Sequence, residues 1–163
     1  MLYFAYGSNL NPSQMAERCP SHTVVGLAEL RDHKLIFPVF SPRWGGGVAG
    51  LHVAHGQSVW GVVYELNTED QAALDRYEGF KGAGDPHNVY DCEPMFVELR
   101  RADDGSFARR VRPLTYVARP NNPAPPSPRY LEAILAGAKH HRLPEEYIAL
   151  LARIPTAEEP ASA

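Results

Sequence analysis

The chain opens on Leu2-Tyr-Phe-Ala-Tyr-Gly-Ser-Asn-Leu10, an apolar and aromatic run that breaks abruptly into Gly7-Ser8-Asn9. Leu2 to Tyr6 has the composition of a strand. Asn11-Pro12 follows at once, an N-cap with proline at the first helical position, and predicts a short helix over Pro12–Arg18 that stops near Cys19-Pro20. A strand running directly into a polar turn and a helix start leaves backbone amides at the end of the sheet. Glycine at position 7 permits positive φ and close backbone approach to a ligand. The N–H groups of Gly7, Ser8 and Asn9 can therefore converge on an anion, helped by the helix start behind them. A plain strand-to-helix turn uses the same residues, so this stretch marks a place and not yet an activity.

Outward from it, the pattern is one of short strands with few helices. Val24–Leu30 and Lys34–Val39 are strand-like and are separated by Arg31-Asp32-His33. Ser41-Pro-Arg-Trp-Gly-Gly-Gly47 reads as a flexible loop. Val48–Val53 is another strand, and Gly56-Gln57 turns the chain into Val59–Leu66. A helix starts at Asn67-Thr68, with Thr68 and Gln71 spaced as a capping box. Ala73, Leu74 and Tyr77 form its expected buried stripe, Glu78 closes its last turn, and Gly79 is the expected glycine after the helix end. Beyond the Gly- and Asp-rich loop Lys81–Asn88, strands are expected at Val89–Asp91, Pro94–Arg101 and Arg109–Ala118, the last two joined by the hairpin signal Asp104-Gly105. Five prolines between Pro120 and Pro128 predict a stiff extended segment. Ser127 and Pro128 then cap a helix to about His141, and Pro144-Glu145-Glu146 starts another to about Arg153. Six or seven strands, two middle-sized helices and few βαβ alternations predict an α+β fold with a mixed or barrel-like sheet. Residues 1–155 are expected to form a single domain and 156–163 a flexible tail.

The 163 residues are 44% hydrophobic and 21% charged, with a net charge of −3, as in an ordinary globular domain and unlike a nucleic-acid binder. The arginines at 100, 101, 109, 110 and 112 flank one turn and read as solvated hairpin ends. No apolar run is long enough to span a membrane, and the N-terminus lacks a signal-peptide pattern. Cys19 and Cys92 have no CxxC spacing, which suits a reducing, cytoplasmic setting.

The chemistry-bearing candidates are few. Glu78 sits at the negative end of a helix dipole, where a carboxylate holds its proton more tightly, and could serve as a general base near neutral pH. On its position alone, such a residue is more often a solvated glutamate before a cap glycine. Tyr90, Tyr116 and Tyr130 each offer an apolar face with a polar tip, although strand tyrosines usually belong to the core. The seven histidines are dispersed; His140 and His141, adjacent on a helix, point apart, so no metal site is expected. Ser8, Cys19 and Cys92 have no visible base partner for nucleophilic catalysis.

Four segments occur together in one order: Tyr3-Phe-Ala-Tyr-Gly-Ser-Asn-Leu10, Val59-Trp-Gly-Val-Val-Tyr64, Leu74-Asp-Arg-Tyr-Glu-Gly79 and Ala124-Pro-Pro-Ser-Pro-Arg-Tyr130. Gly137-Ala-Lys139 and Leu143-Pro-Glu-Glu-Tyr147 extend the series. In these the chain resembles the gamma-glutamylcyclotransferase family over nearly its whole length. The resemblance implies a small mixed β-barrel with flanking helices. It also implies a cofactor-free reaction in which a gamma-glutamyl amine cyclises to 5-oxoproline and releases the amine. Glu78 matches the family's catalytic acid/base, and Tyr6, Gly7, Ser8, Asn9 and Leu10 match the turn that holds the glutamyl group. Tyr90, Tyr116 and Tyr130 match tyrosines lining the pocket, and the loop Lys81–Asn88 reads as longer than the family pattern. The implied partner is a small-molecule gamma-glutamyl substrate, with no nucleic acid and no membrane; a homodimer is compatible. A gamma-glutamyl-lysine isopeptide, a gamma-glutamyl-protected biosynthetic intermediate, or a non-catalytic binding module would share much of this pattern. Glutathione is a less favoured substrate, and loop 81–88 is a candidate lid.

Overall fold

The computed structural model describes residues 1–158; residues 159–163 of the expected tail lie outside the described residues. The first strand, β1 (Leu2–Ala5), ends one residue earlier than its composition suggests, and Tyr6 already belongs to the turn. A single 3₁₀ turn (Ser8–Leu10) leads into α1 (Pro12–Arg18), where the side chain of Asn11 accepts hydrogen bonds from the amides of Ser13 and Gln14. The cap and the helix length are those the sequence predicts.

The frame of the molecule is one long hairpin of β2 (Thr23–Ser41) and β3 (Gly46–Glu65). The sequence divides these into four strands, but the structure keeps them as two. The apparent turns are a bulge: Asp32 has φ 57° and Gly56 φ 79°, and the Gly56 N–H donates to Asp32 Oδ1 at 3.0 Å. Bulges and turns need the same residue types, because both need left-handed backbone. The ladder shifts register there, and again between Ile36 and Val39. At the Ile36–Val39 shift the carbonyls of Phe37 and Pro38 accept amides of Ala124 and Asn121, docking the proline-rich segment on the outer half of the hairpin.

The stretch Ser41–Gly47 is a tight, docked tip and not a flexible loop. The Gly45 N–H donates back to Ser41 O at 2.8 Å, and Gly47 donates to Pro125 O at 2.9 Å. A Cβ on Gly47 would lie 1.9 Å from Ala124 O, so the proline segment passes where only glycine leaves room.

Helix α2 (Thr68–Tyr77) is capped by Asn67 rather than Thr68, since the Asn67 side chain accepts from the Asp70 amide at 2.8 Å. Leu74 is buried as expected, but Tyr77 is 45% exposed, its ring facing the Arg18 guanidinium at 4.7 Å. Beyond the loop, β4 (Tyr90–Pro94) and β5 (Val97–Arg100) run up one arm of a second hairpin, with β6 (Phe107–Val111) and β7 (Leu114–Ala118) on the other. The single strand expected at Arg109–Ala118 is split at Pro113, which has no N–H to give to a ladder. The sheet order is β4-β7-β1-β3-β2-β5-β6, antiparallel except for β1 with β7. The two halves of the second hairpin thus extend opposite edges of β1-β3-β2. Chain continuity across Pro94–Phe96 and Arg112–Pro113 joins the edges and curls the sheet into a partial barrel, an α+β fold.

Two helices close the structure. α3 (Pro128–His140) is capped by Ser127, which accepts from the Tyr130 amide, and it buries Tyr130, Leu131, Ile134, Gly137 and Ala138 along one stripe. α4 (Glu145–Ala152) packs behind it, and the Ala157 amide donates to Pro126 O. No helix among the described residues is long and apolar enough to cross a membrane.

Candidate active site

A cleft of about 660 Å³ opens where the end of β1, the end of α2, the hairpin tip and the loop after α2 meet. It brings together Tyr6, Gly7, Ser8, Asn9, Glu78, Tyr90, Tyr116 and Tyr130 from the sequence-derived set. Leu10 is a correction: it is fully buried beneath the turn, against the backbone of α3, and does not reach the cleft. It shares the motif because the turn needs an apolar anchor on its inner side.

The turn itself differs from expectation in one respect. Gly7 has φ −111°, so positive φ is not what position 7 requires. Close approach is: a Cβ there would lie 3.1 Å from Ala49 Cβ and 3.3 Å from the Tyr130 hydroxyl. The Leu10 amide donates to Gly7 O and the Asn11 amide to Ser8 O, while the N–H groups of Gly7, Ser8 and Asn9 find no acceptor among the described residues. Three adjacent free amides at the wall of a cleft are donors kept for something else.

Glu78 caps the C-terminal end of α2, its amide donating to Leu74 O, and Gly79 at φ 64° turns the chain away behind it. Its side chain is 16% exposed. Asn9 Nδ2 donates to Glu78 Oε1 at 2.9 Å and to the Tyr3 hydroxyl at 2.9 Å. The orientation of the Asn9 amide is set from its other end, where Oδ1 accepts from Gln14 Nε2 and Arg18 Nη1, each at 3.0 Å. Gln14 Nε2 also donates to Ser8 Oγ at 2.7 Å, and the Tyr64 hydroxyl donates to Asn9 O at 2.9 Å. Asn9 is therefore a hub whose backbone belongs to the turn and whose side chain steers the carboxylate. Arg18 Nη1 stands 3.9 Å from Glu78 Oε1. Burial holds the Glu78 carboxyl above the ordinary carboxylate range, and Arg18 and the Asn9 hydrogen bond offset part of that rise.

The tyrosine tips are tied to the frame. Tyr6 donates to Tyr116 O and Tyr90 to Ala49 O, both at 2.6 Å, and the Ala49 amide donates to the Tyr130 hydroxyl at 2.9 Å. The Tyr116 hydroxyl donates to Asp75. Burial raises all four phenols, so they stay protonated and line the cleft as walls with spare acceptor lone pairs.

Sequence reading missed Tyr3, Gln14, Arg18 and Tyr64. Gln14 and Arg18 lie one helical turn apart on α1, a polar pair beside buried Met15. That spacing was visible, but the partner that gives it meaning is nine residues from Arg18. Among the described residues no group of three or more His, Cys, Asp or Glu could hold a metal. Burial pushes the Cys19 and Cys92 thiols up to about 12 and about 11, which makes both poor nucleophiles.

The AIG2-like family model matches residues 58–151. Over 150 residues the chain is 37% identical to gamma-glutamylcyclotransferase of Mus musculus, taking in 90% of this chain and 74% of that protein. The chain belongs to the gamma-glutamylcyclotransferase family. The Homo sapiens gamma-glutamylcyclotransferase is 35% identical over the same length. A solved gamma-glutamyl cyclotransferase structure superposes with a TM-score of 0.85 at 32% identity, covering 99% of this chain and 92% of that one. The gamma-glutamylcyclotransferase likeness thus includes the Tyr6–Asn9 turn as well as the matched segment that holds Glu78, Tyr90, Tyr116 and Tyr130.

Proposed function

We propose that this chain is a gamma-glutamyl cyclotransferase that converts gamma-glutamyl amino acids or amines to 5-oxoproline and the free amine. The observation that carries the reading is a largely buried carboxylate of raised proton affinity, Glu78, set by Asn9 in the same cleft as three turn amides that find no acceptor among the described residues. The substrate's α-amine arrives as an ammonium ion. Ionised Glu78 takes a proton from it, and the freed amine attacks the γ-carbonyl carbon. The carbonyl oxygen gains negative charge, which the amides of Gly7, Ser8 and Asn9 stabilise. The bond from that carbon to the leaving nitrogen then breaks. Two protons leave the attacking nitrogen and two arrive on the departing one, so Glu78 starts and ends the cycle ionised. The tyrosine walls fold the glutamyl chain so that its two ends meet, which supplies orientation, and they keep water from competing. Residues 1–155 act as one catalytic domain. The two free cysteines support the cytoplasmic setting read from the sequence.

A panel of gamma-glutamyl-alanine, gamma-glutamyl-lysine, gamma-glutamylamines and glutathione tests the reading by release of 5-oxoproline. Release is expected from gamma-glutamyl-alanine, and silence across the panel would contradict it. The pH profile tests the base. Because Glu78 must be ionised to begin and its carboxyl is raised, the acid limb of kcat/KM should lie above the ordinary carboxylate value of 4.5. In Arg18→Met the cation that lowers Glu78 is gone, so the limb should move to higher pH, whereas Arg18→Lys should hold it lower than Met does. A limb that stays in place or moves down in Arg18→Met would exclude Glu78 as the titrating group.

A further inference from the structure

The cleft's charge is one-sided in a way the cyclisation does not use. Four arginines line it, Arg18, Arg43, Arg76 and Arg119, against Glu78 as the sole carboxylate of its lining among the described residues, in a chain whose net charge is −3. Two of the four are committed. Arg18 is held between Asn9 and Glu78, and Arg119 donates to both oxygens of Asp91 at 2.7 Å. Arg43 and Arg76 have no acidic partner among the described residues. They come from different elements, the hairpin tip and the last turn of α2. The tip is not a floppy carrier: Arg129 Nη2 donates to Arg43 O at 2.7 Å, Arg129 lies over the Trp44 ring at 4.6 Å, and Trp44 meets Tyr130 edge-on at 5.0 Å. The backbone of Arg43 is fixed while its guanidinium stays free.

The turn and Glu78 take the glutamyl half of a substrate, so the free cations are left for whatever departs. An ordinary leaving amino acid brings one carboxylate. An acidic one brings two, matching two unpaired guanidinium groups. Resting on the cyclotransferase reading, we propose that Arg43 and Arg76 select acidic leaving groups, so that a gamma-glutamyl unit joined to a dicarboxylic amino acid is preferred over one joined to its neutral amide.

The test compares gamma-glutamyl-glutamate with gamma-glutamyl-glutamine, which are nearly isosteric, in the wild type and in Arg43→Gln, Arg76→Gln and the double variant. The wild-type ratio of kcat/KM should favour the acidic substrate by roughly fivefold at low salt, the size expected of exposed charge pairs, and should shrink as salt rises. The ratio should fall towards one in the double variant, mainly through a higher KM for the acidic substrate. A wild-type ratio at or below one, or a double variant that keeps the wild-type ratio, overturns the charge selection and leaves cyclisation standing. Release of 5-oxoproline from neither substrate overturns both.

Discussion

Glu78→Gln should lower kcat by about a thousandfold, or ~4 kcal/mol, while leaving the fold intact. Glutamine keeps the shape and an oxygen for Asn9 Nδ2, so the hub survives and only the proton acceptor is lost. Stability should not fall with activity. The Glu78 carboxyl is raised in the folded state, so the native chain binds that proton more tightly than the unfolded chain does. The stability this provides is fully present below the unfolded value, and it is lost as pH rises through the folded one. Once ionised, the side chain is therefore a cost of burial, borne for function, and a neutral glutamine removes it. Thermal unfolding at pH 7 should show Glu78→Gln melting no lower than wild type. The variant should also lose the part of the wild type's decline in stability as pH rises from the acid side. A variant that melts well below wild type would mean that Glu78 is structural.

Gly137→Ala should act in the opposite sense to the usual rule. In a helix interior this change normally stabilises by ~1 kcal/mol. Here the new Cβ would lie 2.2 Å from Leu10 C, 2.3 Å from Leu10 O and 2.6 Å from Asn11 N, all of them backbone atoms that cannot swing aside. α3 and the turn would have to part, at a cost near ~3 kcal/mol, the upper end for overpacking. The turn carries the amides of Gly7, Ser8 and Asn9, so its displacement should also reduce kcat by about a hundredfold. Chemical denaturation with parallel kinetics on the soluble variant checks both. A more stable and fully active Gly137→Ala would show that the turn does not depend on this contact.

Much of the frame could be read from local signals because local interactions fix it. Asn11-Pro12 and Ser127-Pro128 start helices where they should, Gly79 ends α2, and Glu78 falls at that end. What escaped depends on distant partners. Arg31-Asp32-His33 and Gly56-Gln57 look like turns because a bulge also needs left-handed backbone; only the pairing of β2 with β3 tells the two apart. Ser41–Gly47 looks flexible until the proline segment is laid across it. Tyr77 fits a buried helical stripe, yet its ring meets Arg18 at the surface. Leu10 and Asn9 are neighbours in one motif, and only the fold shows that one faces the core and the other the carboxylate. Asn9 looked useful for its amide alone, and its side chain turns out to steer Glu78.

The most direct test of the account is the identity of the product when gamma-glutamyl-alanine is turned over in ¹⁸O-labelled water. Internal attack predicts unlabelled 5-oxoproline and alanine in equal amounts from the wild type, and no comparable release from Glu78→Gln. Glutamate carrying ¹⁸O in its γ-carboxylate would show that water is the nucleophile, and the chain would then be a hydrolase built on this fold.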